Sequence, residues 1–168
     1  MTLLLRYRLS LAVFIAGLVI SGMTAFPLLH ELSLLSSWLG ISDPADYKAL
    51  SGIHHWIGFV HFGLQQTYSS FPFVAYGTDW LAFGHLVIAL FFIGPFIDPI
   101  KNEWVLYCGI VACIAVIPLA LICGPIRQIP LYWSFIDCSF GIIGILPLLY
   151  CLSLARNMRM HQDKLIQH

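Results

Sequence analysis

Residues 103–125 read EWVLYCGIVACIAVIPLALICGP: one acid at the start, then twenty-two residues without a charge. About twenty apolar residues at 1.5 Å each are enough to cross the hydrocarbon core of a bilayer. The rest of the chain repeats the pattern. Hydrophobic residues make up 60% of its 168 positions and charged residues only 10%. A soluble domain of this length usually has about 25% charged residues to face water. The composition therefore predicts an all-α integral membrane protein, a single membrane domain over residues 1–168.

Working outward from residues 103–123, three further spans are expected. One covers about 9–29, after Arg6 and Arg8. Its basic start and the small-residue patch SGMTA also suit a signal peptide, but the run exceeds the usual ~7–15-residue signal core, so a retained helix is expected. The second covers 79–97 and the fourth 132–154. Gly94-Pro95 and Gly124-Pro125 read as helix stops, Gly for a left-handed cap and Pro because it cannot continue the ladder. Pro118 and Pro147 fall inside spans, where they are tolerated if neighbours satisfy the freed carbonyls.

Four spans put both termini on one side. Arg6, Arg8, Lys101, Arg156, Arg159 and Lys164 share it, leaving Lys48 and Arg127 opposite, so the positive-inside rule makes the termini cytoplasmic. The expected location is a plasma membrane, the inner membrane of a bacterium. The segment His30–Thr78 is then extracytoplasmic. Within it, residues 44–68 read as an amphipathic helix on the membrane surface. Ser42 or Asp43 serves as cap, Pro44 opens the first turn, and Leu50, Ile53, Ile57, Val60 and Leu64 form the apolar stripe.

With a net charge of zero and no basic tract away from the termini, nothing suggests nucleic-acid binding, and no nucleic-acid partner is expected. The expected partners are the lipid bilayer and a second copy of the chain or another membrane protein. The five cysteines contain no CxxC pair and read as small buried apolar residues. Nucleophile elbows, GxGxxG phosphate loops and HExxH are all missing.

The polar groups that stand out gather on the outer side. Asp137 lies ~7–8 Å into the fourth span and His85 ~9 Å into the second, at 1.5 Å per residue. Small residues that mark helix contacts share their faces: Gly141 and Gly144 with Asp137, Ala82 and Ala89 with His85. A charge at that depth calls for a partner. Arg127, His85 or a backbone donor freed at Pro130 would serve Asp137. Asp79 reads either as cap of the second span or, with residues 76–78, as a pocket mouth.

His54 and His61, in HHWIGFVH, are seven apart and so share a side with Gln65. With His85 or His30 they are candidates to hold haem, a metal or a quinone. Three readings follow. The first is a binding, accessory or assembly component with a polar outer site. The second is a membrane redox protein or enzyme using these histidines. The third is a small transporter in which Asp137 and His85 carry a proton or ion, a homodimer supplying the inverted repeat that one chain lacks.

Overall fold

A computed structural model describes residues 2–166. Every regular element among them is helical. In chain order they are α1 (Leu3–Ala25), α2 (Leu28–Trp38), a 3₁₀ turn (Pro44–Ala49), α3 (Gly52–Ser70), a second 3₁₀ turn (Pro72–Val74), α4 (Ala75–Phe91), α5 (Ile93–Ile97), α6 (Glu103–Ile126) and α7 (Leu131–Ile166). Four stretches are long and apolar enough to cross a membrane: Leu3–Ala25, Pro72–Ile97, Glu103–Ile126 and Leu131–Lys164.

The helix ends differ from the sequence expectation for local reasons. α1 begins at Leu3, where the Thr2 hydroxyl accepts from the Leu5 amide at 3.3 Å, and it closes ahead of Pro27. The segment expected as one helix over 44–68 is two. Asp43 accepts from the Ala45 amide at 2.8 Å and opens the 3₁₀ turn. Leu50 and Ser51 are then extended, which interrupts the ladder, and Gly52 at φ +58° starts α3. α7 continues well past residue 154, because RNMRMHQDKL holds good helix formers and no Gly or Pro.

Gly124 is not the left-handed cap. It is helical, and Gln128 takes that conformation at φ 59°. Ile129 N–H donates to the Gly124 carbonyl at 2.9 Å and Gln128 N–H to the Pro125 carbonyl at 3.1 Å, the bond pair of a Schellman close. Gly124 is small for another reason: a Cβ there would sit 2.5 Å from Ser134 Oγ of α7.

The chain forms two compact units. The first joins the start of α1, as far as Gly17, to everything from Ile88 onward. Its centre is the antiparallel pair α6 and α7, held close by glycines. A Cβ on Gly141 would collide with the Cys113 carbonyl, and one on Gly109 would meet the Phe92 ring at 2.6 Å and Leu148 at 3.0 Å. Close backbone approach through small residues is how apolar helices associate where water supplies no driving force. Tyr7, Leu11, Leu106, Leu148 and Cys151 are fully buried around this contact. Phe14 meets Phe92 edge-on at 4.8 Å between ring centroids.

The second unit is Leu18–Val87. Here Gly22 lets α1 approach α4, with Ala82 O 2.9 Å and His85 Cβ 3.2 Å from where its Cβ would lie. α3 lies against α2 and against the 3₁₀ turn. Gly58 admits Tyr47, whose ring packs on Phe59 and Phe62 at 5.4 and 5.6 Å. Ile57, Leu32 and Ile41 are buried between these elements.

Candidate functional site

The most developed polar site is in the second unit, between α2 and α3. In LLHELSLLSSW, Ser33, Ser36 and Ser37 recur at i, i+3 and i+4 and so share one helix face. Leu34 and Leu35 face away and stay exposed. Gly40, at φ +73°, closes α2: its N–H donates to the Ser37 carbonyl at 3.1 Å and that of Ile41 to the Ser36 carbonyl at 2.9 Å. This reversal brings Ile41, Ser42 and Pro44 back alongside the serine face. From α3, His61 and Gln65 reach the same space, one turn apart. Together these groups line a cavity of about 430 Å³.

At its floor, Ser36 Oγ and His61 Nδ1 are 2.9 Å apart. Both residues are buried, Ser36 at 2% exposure and His61 at 8%. Burial disfavours the imidazolium and holds the His61 pKa below the usual histidine value. A neutral imidazole carries one donor and one acceptor, so one ring nitrogen bonds Ser36 and the other stays available.

Two other histidines are separately occupied. His85 Nδ1–H donates to the Leu81 carbonyl of its own helix at 2.8 Å, and His55 Nδ1–H donates to the Tyr47 carbonyl at 2.8 Å. His30 lies on α2 and His54 on α3, both exposed. Among the described residues, no three His, Cys, Asp or Glu side chains come together as a metal-binding group within either unit.

The members of the expected outer cluster belong to different units. Asp137, Arg127 and the α6–α7 turn belong to the first unit, His85 and Asp79 to the second. Asp137 is half-buried on α7. Among the described residues of its unit it makes neither an ion pair nor a hydrogen bond, and Arg127 beside the turn is exposed. Asp79 sits a turn inside α4, which starts at Ala75, so it does not cap that helix. It borders an apolar hollow of about 310 Å³ among Phe26, Tyr76, Trp80 and Phe83.

Sequence reasoning missed a charged cluster in the first unit. Glu103, at the head of α6, is buried, and Arg159 of α7 is ion-paired to it. Tyr107 donates to the same carboxylate at 3.3 Å, Arg156 donates to the Tyr107 hydroxyl at 2.8 Å, and Arg159 also reaches the Ile100 carbonyl at 3.3 Å. Arg8 of α1 donates to the Phe96 carbonyl at 3.2 Å. Asn102 donates to the carbonyls of Gly94 and Asp98, both at 3.1 Å. These bonds fix the turn between α5 and α6, which makes the cluster a structural clamp. The charged RNMR motif was the available signal, but its partner lies over fifty residues earlier.

No protein-family model matches this chain, and no curated protein or solved structure shows significant similarity to it.

Proposed function

We propose that this chain is an integral membrane protein that binds a small molecule in the cavity between α2 and α3, serving as a binding or accessory component. The observation that carries the reading is the buried Ser36–His61 pair opening onto a hydroxyl-lined space. In a chain so apolar, such a concentration of hydrogen-bonding groups around one cavity of drug-like size is the best candidate for a ligand site.

The membrane part of the reading is supported by exposed apolar faces on the four long helices. Val13 is 70% exposed, Val111 64% and Phe140 69%. Side chains of this kind in continuous rows need lipid or protein cover. The charge bias, six basic residues against two, supports cytoplasmic termini and a cavity on the extracytoplasmic side. There α3, with Ile53 and Phe59 outward, lies along the interface.

Native mass spectrometry of the protein extracted in mild detergent tests the binding role. A stoichiometric small-molecule adduct is expected in the wild type and should be lost in Ser37→Trp, which fills the cavity from its exposed wall. Absence of any adduct, together with no saturable ligand among broad metabolite panels, would refute it. A cysteine introduced at Ser69 tests the orientation. It should react with an impermeant maleimide on intact cells above the wild-type background, and labelling only after lysis would invert the topology.

A further inference from the structure

We infer that the cavity between α2 and α3 takes an uncharged, hydroxyl-rich molecule of about one ring, a monosaccharide or cyclic polyol. This rests on the reading of the cavity as a binding site and names its ligand class.

The wall chemistry selects against charge. Among the described residues, no Lys, Arg, Asp or Glu lines the space. An anion would find neutral donors there but no guanidinium or ammonium to balance its charge. α2 points its carboxyl end here, where the helix dipole is negative. The nearby amides of Gly40 and Ile41 are already spent on the Ser37 and Ser36 carbonyls. The Asp43 carboxylate, next to the lining residue Pro44, is turned to the Ala45 amide. A metal cation finds one histidine and no second ligand of its kind. An organic cation finds neither a carboxylate nor an aromatic cage on the wall. An ion bound there would lose hydration with neutral hydrogen bonds but no opposite charge to offset it.

What the wall does offer is matched to hydroxyls. Four serine hydroxyls, the Gln65 amide and the neutral His61 ring supply both donors and acceptors, with Ser36 and one His61 nitrogen bonded to each other. A sugar hydroxyl is likewise both donor and acceptor. Ile41 and Pro44 provide apolar surface for the C–H faces of a ring. The volume of about 430 Å³ is near the small end of ligand pockets, which span ~300–1,000 Å³, and suits a single ring better than a chain of them.

The test uses the full chain in a detergent without a sugar headgroup, since a maltoside would compete for the cavity. Thermal shift and calorimetry are run with neutral hexoses and inositol. Each is paired with a charged counterpart of similar frame: hexose 6-phosphates, hexuronic acids and hexosamines. Saturable binding of a neutral member is expected, with its charged counterparts at least about tenfold weaker. Ser37→Ala and Gln65→Ala, both on the exposed wall, should each weaken it about 3- to 10-fold, as loss of one neutral hydrogen bond does. Equal or tighter binding of a charged counterpart would overturn the ligand class while leaving the cavity a binding site. If no probe binds, the mass of the copurifying adduct decides: a neutral polyol upholds the inference and an ionised molecule overturns it. With neither probe binding nor adduct, both this inference and the binding role fail.

Discussion

Removing Arg159 should damage this protein more than removing the charge it neutralises. Arg159 and Glu103 form an ion pair in which the exposures are unequal: the arginine side chain is 49% exposed and the glutamate only 9%. In Arg159→Ala the carboxylate stays behind, buried, with the Tyr107 hydroxyl at 3.3 Å and Arg156 Nε at 3.9 Å as its remaining support. A lost hydrogen bond to a charged group costs about 1.5–3 kcal/mol, and stranding a fully buried ion about 3–5 kcal/mol. The half-exposed arginine places this site between, at about 2–3 kcal/mol, with the bond to Ile100 lost as well. In Glu103→Gln the amide keeps a hydrogen bond to Tyr107 and Arg159, and both arginines can turn to water. That change should cost only about 0.5–1 kcal/mol. Arg156, 60% exposed and more distant, should contribute less still. The double variant Arg159→Ala/Glu103→Gln removes the stranded charge and should recover about 1 kcal/mol relative to Arg159→Ala alone. Equilibrium unfolding of the detergent-solubilised chain in SDS, followed by tryptophan fluorescence, measures all four. Strict additivity, or a larger loss in Glu103→Gln than in Arg159→Ala, would refute the reasoning.

Gly141→Ala drives a methyl into the Cys113 carbonyl and should cost about 1–3 kcal/mol by separating α6 from α7. Gly63→Ala in α3 meets nothing within 4 Å and should be neutral or stabilising by up to about 1 kcal/mol in the same unfolding assay. His61 has a folded pKa below its unfolded value, so below about pH 6.5 the unfolded chain binds the proton more readily. Stability should therefore fall as pH drops through 6.5 and level off below the folded pKa. His61→Gln should remove that component from a melting-temperature profile between pH 5 and 8, the other histidines being common to both proteins. Asp137→Asn should leave the melting temperature unchanged or raise it, because among the described residues of its unit the carboxylate has no partner, and a charge at the centre of a membrane helix costs ~2.5–3.5 kcal/mol on insertion scales. A marked drop would reveal a group that holds it.

Much of the architecture was legible because hydropathy accumulates locally. Each residue of EWVLYCGIVACIAVIPLALICGP adds to the case for an apolar helix whatever its neighbours in space. The helix ends were less legible. Gly124-Pro125 carries the composition of a stop, yet the chain closes on Gln128, since the bulk of Ser134 from another helix decided what Gly124 was for. α2 went unread as a helix because it is short and rich in serine, a residue equally at home in turns.

The candidate site shows the same division. His61 and Gln65 stood out from their helical spacing, but three of the four serines that complete the cavity come from α2, where Ser36 is 25 positions away from His61. Asp137 drew attention as an acid in an apolar run, and among the described residues of its own unit it has no partner. Glu103 drew none as the head of a helix, and it is the buried acid, reached by an arginine 56 positions on. The sequence by itself determined that this chain is helical, apolar and built around four long segments, because those properties are sums over neighbouring residues. Only the tertiary structure decided which polar groups are paired, which are stranded and where a cavity opens. Pairing is set by a few ångströms between residues far apart in the chain, and spacing along the sequence carries no record of that distance.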